Sequence, residues 1–161
     1  MTIDPATQTE LSALVIGYGC ALDARDWGGY RALMLDTIEL DYGAIGSIVG
    51  PISSDAWADR CRALGAFDAT LHRVTNIRCA MIDEATAAAD SYVDALHFIR
   101  DGDDEILGHL VGHYHHRFGR NAAGLWRIAR CDLRVAGYPG GQANFTRAFT
   151  VARARFAEAS A

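Results

Sequence analysis

Apolar residues first recur at helical spacing. Leu11, Leu14, Val15, Tyr18 and Leu22 share one face of a 3.6-residue repeat. Thr7-Gln8-Thr9-Glu10 has the form of a capping box, with Thr7 as N-cap. The pattern predicts a helix over 7–24 and a shorter one over 27–35 carrying Trp27, Tyr30, Leu33 and Met34. Ile38 to Tyr42 alternates as a half-buried strand does. Gly43 to Pro51 is rich in glycine and predicts a loop or irregular hairpin. Ser53 or Ser54 then caps a third helix, with Trp57, Cys61 and Leu64 on one side.

After Asp68 the period changes. Segments 70–82, 86–100, 105–119 and 124–137 are strand-length and rich in β-branched and aromatic residues. Asp83-Glu84, Asp101 to Asp104 and Asn121 to Gly124 separate them as hairpin turns. Ala85 to Asp90 has helical propensity, but flanking turns and the continuation Ser91-Tyr92-Val93 predict a strand. Gly137 to Gly141 breaks the sheet, and 142–158 reads as a last helix. Helices first and a four-strand antiparallel meander after them predict an α+β fold. Its core spans about 7–137, with 138–161 as an extension of a single domain over 1–161.

Composition narrows the class. The chain has 161 residues, half of them hydrophobic, and a net charge of −5 with histidine neutral. That length suits one domain with a substantial core. The acidic balance and scattered arginines argue against nucleic acid and anionic membrane as partners. No apolar run approaches a membrane span, and the first ten residues do not form a signal peptide. Cys20, Cys61, Cys79 and Cys131 include no C-x-x-C pair, which predicts reduced thiols in a cytoplasmic protein.

All six histidines fall on predicted strands. Alternation puts His109, His113, His115 and Arg117 on one face of their strand and Leu110, Tyr114 and His116 on the other. An apolar interior would take the second set, a polar cavity the first. Histidine carries protons near neutrality and needs a carboxylate or carbonyl to fix its tautomer. Asp23, Asp26, Asp41, Asp94 and Asp132 are available. On an ideal helix Asp23 lies about 100° from the centre of the apolar stripe and Asp26 nearer, so periodicity does not choose between them. His113-x-His115, with His97 or His72 from a neighbouring strand, is the alternative use of these side chains as metal ligands. Nucleotide, flavin and nicotinamide fingerprints find no match.

The segments YGCALDARDWGGYRALM, IELDYG, ATLHRVTNIRC, ADSYVDALHFI and GLWRIARCDLRV, in that order, resemble the SnoaL-like group of the nuclear-transport-factor-two-like superfamily over residues 10–137. The resemblance implies a cone of strongly bent antiparallel sheet (a cystatin-like fold) closed by the three N-terminal helices. The group includes scytalone dehydratase, bile acid 7α-dehydratase and hexachlorocyclohexane dehydrochlorinase, which eliminate a small molecule without a cofactor.

By this resemblance His72 is the general base and Asp23 the carboxylate that holds it. Tyr18 and Tyr42 are pocket tyrosines, and His97 protonates a departing hydroxyl. His113, His115, Trp27 and Asn76 are expected to contact substrate. Leu22 stands where scytalone dehydratase has a second tyrosine. The function implied is a cofactor-independent lyase, dehydratase or isomerase acting on a hydrophobic aromatic, polyketide-like or steroid-like molecule, with no metal. Polyketide cyclisation and a non-catalytic accessory subunit, like those of ring-hydroxylating dioxygenases, are the alternatives. The resemblance also implies a homodimer or homotrimer.

Overall fold

Residues 2–159 are described by a computed structural model. Helix α1 spans Pro5–Asp23 and α2 Trp27–Ala32. Strands β1 (Met34–Asp41) and β2 (Val49–Ser53) follow, joined through a 3-10 turn at Gly43–Ile45. Helix α3 spans Ser54–Cys61. Then come β3 (Ala69–Met81), β4 (Thr86–Asp101), β5 (Asp104–Arg120), β6 (Trp126–Gly137) and α4 (Gln142–Ala159).

The strands form one mixed sheet in the order β2-β1-β6-β5-β4-β3. The long hairpins are antiparallel as expected, but β1 joins β6 in parallel. Register shifts interrupt the ladder on β3 between Thr75 and Arg78 and on β6 at Val135/Gly137 and Ile128/Arg130, which face consecutive residues of β5. Bulges of this kind bend a sheet, and this one curves around α1.

The interior is continuous and aromatic. Leu11, Val15, Tyr18 and Leu22 of α1 pack with Tyr30, Trp57, Ile38 and Leu40 and with the inner-facing Leu110, Tyr114, Phe118, Ile128 and Leu133. Ala87 and Ala89 are buried in the same cluster. The alanine-rich segment is therefore strand from Thr86 onward, because burial between neighbouring strands outweighs its helical propensity.

Two local expectations are corrected. Asp4, not Thr7, caps α1: its Oδ1 accepts from the backbone N–H of Ala6 and Thr7, at 3.0 Å each, with Pro5 at the first helical position. Helix α2 ends at Ala32 rather than 35, because Met34 already pairs with Ile128. The irregular hairpin expected after Tyr42 is present, with β2 pairing antiparallel to β1 as an edge strand. Ser53 does cap α3, its hydroxyl accepting from Ala56 N–H at 3.2 Å.

Helix α4 is more than an appendage. Ala148 and Ala152 pack with Phe67, Ile99 and Ile106 in a second buried cluster. Arg155 donates to the carbonyls of Ala66 and Arg100 and pairs with Asp68, while Arg147 pairs with Asp101 and Asp104. These contacts seat α4 across the β4–β5 hairpin. No helix among the described residues is long and apolar enough to cross a membrane.

Candidate active site

Asp23 is the last residue of α1, and His72 lies on β3 where that helix crosses it. Gly19 makes the crossing close: a Cβ there would lie 3.1 Å from both the Cβ and the carbonyl oxygen of His72. One turn on, the Asp23 carboxylate faces His72 twice. Oδ1 lies 2.7 Å from the ring Nδ1, and Oδ2 accepts from the His72 backbone N–H, also at 2.7 Å. Thr70, two residues earlier on the same face of β3, donates to Oδ1 at 2.9 Å. Burial pushes the Asp23 carboxyl up, but the hydrogen bonds from the His72 ring, the His72 backbone and Thr70 outweigh it, leaving the group below the ordinary carboxylate range. Asp23 is thus an acceptor, and in neutral His72 the hydrogen sits on Nδ1. The lone pair is left on Nε2, which is the arrangement of a general base.

His97 stands next to this pair. Its ring meets that of His72 edge-on, with centroids 5.2 Å apart, and its Nδ1 lies 3.1 Å from the Gly108 carbonyl. A carbonyl only accepts, so neutral His97 carries its hydrogen on Nδ1 and leaves Nε2 as an acceptor. Burial, with His72 adding to it, pushes its pKa down to about 3. The resemblance implies an acid for a leaving hydroxyl at this position; the depressed pKa and the Nδ1 contact to Gly108 favour the neutral ring, with Nε2 as acceptor. Phe67, Phe145 and Phe149 surround the ring at 5.1, 6.1 and 4.8 Å, so α4 forms part of the wall here.

Tyr18 and Tyr42 are buried in the main core and find each other. Their hydroxyls are 2.8 Å apart, and Tyr42 also reaches Cys131 Sγ at 3.4 Å. Trp57 Nε1–H donates to Tyr30 at 2.8 Å and to Tyr18 at 3.3 Å. Burial pushes all three tyrosines well above their usual range, so each hydroxyl keeps its proton. Among the described residues, no hydrogen bond or ring contact joins Tyr18 or Tyr42 to His72.

Four expected substrate contacts sit elsewhere. His113 and His115 are on the outer face of β5, where His113 meets the Tyr92 ring edge-on at 4.9 Å and His115 meets Asp90 at 2.6 Å. The inner face takes Leu110, Tyr114 and His116 instead, because the interior is apolar and aromatic. This also separates His113 and His115 from His72 and His97, so the metal set weighed from sequence does not converge. Among the described residues, no group of three His, Cys, Asp or Glu side chains is placed to hold a metal. Asn76 is exposed at the β3 bulge with φ 55°, a left-handed position that asparagine tolerates. Trp27 is half-buried against the main core, with its ring edge toward Gly65.

Among the described residues, two other histidine–carboxylate pairs exist. His109–Asp94 and His115–Asp90 each close to 2.6 Å. Exposure separates them from the inner pair: the side chains of Asp94 and Asp90 are 36% and 74% exposed, against 20% for Asp23 and 5% for His72. Water screens the outer pairs, whereas the Asp23–His72 bond is sheltered. Thr70, Arg25, Phe145 and Phe149 were not anticipated as part of the site. Thr70 was within reach, since it alternates with His72 on β3.

The chain belongs to the SnoaL-like domain family, whose pattern matches residues 6–132. No curated protein matches it. Among solved structures it is similar to the Kfla4162 protein of Kribbella flavida, with 24% identity and a TM-score of 0.74, covering 93% of this chain and 99% of that one. It is similar to a provisionally assigned scytalone dehydratase of Novosphingobium aromaticivorans, with 22% identity and a TM-score of 0.71, covering 85% and 89%. Hexachlorocyclohexane dehydrochlorinase LinA-type3 of Novosphingobium barchaimii is 19% identical with a TM-score of 0.67, covering 83% and 89%. At these identities the likeness establishes the shared fold.

Proposed function

We propose that this protein is a cofactor-independent lyase or isomerase for a hydrophobic small molecule, in which His72 removes a proton from carbon. The observation that carries this reading is the sheltered double contact between Asp23 and His72, 2.7 Å at both the ring and the backbone. Asp23 fixes the tautomer that leaves Nε2 free and stabilises the imidazolium as it forms. His97 Nε2, an acceptor, orients a hydroxyl of the substrate. The aromatic walls from Phe67, Phe145 and Phe149 suit an aromatic or polycyclic skeleton. Loss of a β-hydroxyl after deprotonation, with the proton held by His72 delivered to the departing oxygen, gives elimination of water, while return of that proton to another carbon gives isomerisation. A ring closure of polyketide type begins with the same proton transfer.

The test is turnover of hydroxylated aromatic and polycyclic ketones by wild type and His72→Ala. Wild type is expected to release water or shift a double bond, and the variant to lose about 10²–10⁴-fold in rate while staying folded. Equal rates in both would remove His72 from the chemistry. Binding of these ketones without turnover by either protein would favour the accessory-subunit alternative.

Leu71, Tyr92 and Leu107 are exposed on the outer sheet face, 45%, 51% and 36%, and support association of copies through that face. Light scattering at micromolar concentration checks this, and a monomer there would contradict it. The four unpaired cysteines suit a reducing cytoplasm, which cell fractionation checks.

A further inference from the structure

Arg25 breaks a backbone rule just beyond α1. It has φ 57°, a left-handed conformation uncommon for a residue with a side chain. The turn aims its guanidinium back across the end of the helix. Nη1 donates to Thr70 Oγ1 at 2.7 Å and to the carbonyls of Leu22 and Asp23 at 3.3 and 3.2 Å, and Nη2 donates to the Phe67 carbonyl at 3.3 Å. One side chain therefore ties the last turn of α1 to the start of β3 and to the segment before it.

The direction of the chain of bonds follows from the donor inventory. A guanidinium has only hydrogens to give, so Thr70 Oγ1 accepts from Arg25. The threonine hydroxyl then has its own hydrogen for Asp23 Oδ1, at 2.9 Å. Oδ1 takes the His72 ring at 2.7 Å as well, while Oδ2 is held by the His72 backbone. Both carboxylate oxygens are pinned, and rotation of the carboxylate would break a bond at each.

We propose that Arg25 and Thr70 are positioning residues that lock the Asp23 carboxylate, and through it the His72 tautomer, by the directed relay Arg25 to Thr70 to Asp23. This rests on the reading of Asp23–His72 as the proton-transfer pair. Neither residue touches the reacting atoms. Arg25 supplies orientation through its fork, which lysine cannot reproduce. Thr70 supplies a hydrogen, which serine can reproduce and valine cannot.

NMR on the intact protein tests this without a substrate. The readouts are the titration midpoint of the Asp23 carboxyl carbon and the solvent exchange of the His72 Nδ1 proton. Thr70→Val is expected to raise the Asp23 midpoint by about one pH unit and speed the exchange about tenfold, the effect of losing one hydrogen bond to a charged group. Thr70→Ser is expected to behave as wild type in both. Arg25→Lys keeps the charge and the backbone preference, and is expected to move both readouts in the same direction as Thr70→Val. It decides the matter by itself if Thr70→Val does not fold. Folded variants with unchanged midpoint and exchange, or a serine that fails to restore them, would overturn the relay while leaving the pair intact. A wild-type His72 that does not respond to Asp23→Asn would overturn the relay and the pair together.

Discussion

The Asp23 carboxylate holds His72 from two directions, accepting its ring Nδ1–H on one oxygen and its backbone N–H on the other, each at 2.7 Å. The second bond ties the end of α1 to the backbone of β3. Imidazole orientation therefore depends on how helix and strand are docked as well as on a rotamer. That docking is set by Gly19.

Alanine at the two glycines of α1 should separate docking from helix propensity. A Cβ at Gly17 meets only the movable Leu33 methyls, the nearer at 3.4 Å, whereas one at Gly19 meets His72 Cβ and carbonyl at 3.1 Å. Gly17→Ala is expected to stabilise by about 0.5–1 kcal/mol. Gly19→Ala should forfeit that gain and displace the His72 ring resonances. Urea titration with ring NMR reads both.

Acid should destabilise the fold through two buried histidines. Burial pushes His97 and His116 from the ordinary 6.5 down to about 3. Between those values the unfolded chain binds protons that the native state does not. Stability is therefore full above about pH 6.5 and is lost as pH falls toward 3, by up to about 1.4 kcal/mol per pH unit for each histidine. His116 is fully buried, and neither ring nitrogen has a hydrogen-bond partner among the described residues. His116→Leu should flatten the stability–pH curve between pH 3 and 6.5, measured by chemical denaturation at intervals across that range. An unchanged slope would contradict the assignment.

Helix α4 should control the state of His97. Phe145 and Phe149 of this helix shelter the ring. Phe145→Ala is expected to cost about 3 kcal/mol, as for a buried aromatic. It should also raise the His97 midpoint from about 3 toward 6.5, because burial is the main cause of its depression. NMR titration of the His97 ring in this variant checks the second effect independently of the first.

The outer histidine–aspartate pairs provide the control. Asp90→Asn and His115→Ala alter an exposed contact on the far side of the sheet. Stability should change by no more than about 0.5 kcal/mol, and turnover by wild-type criteria should be retained. Loss of turnover in His115→Ala would move the site to the outer face.

Most of the fold was legible because its elements announce themselves locally. The four long strands fall within about two residues of their sequence expectations, since β-branched alternation and turn residues bound them. The parallel β1–β6 contact was not legible, because which strands meet is a tertiary fact. Asp4 displaced Thr7 as helix cap because Asp-Pro offers a side-chain acceptor and a preset φ together.

The site divides in the same way. Asp23 and His72 were named from family resemblance, where periodicity left Asp26 open, and the structure brings them together. His113 and His115 were misplaced because alternation on β5 fixes two faces without saying which is interior. Tyr18 and Tyr42 were expected near the reacting centre, yet their hydroxyls satisfy one another. Arg25 gave no sequence signal, since its left-handed backbone and crossing contacts exist only in the folded chain.

The most direct measurement is an NMR pH titration of all six histidines in wild type and Asp23→Asn. Coupling predicts that the His72 midpoint and tautomer shift markedly when Asp23 loses its charge, while His109, His113 and His115 on the outer face stay unmoved. A His72 that titrates as a free imidazole in both proteins would contradict the proton-transfer pair.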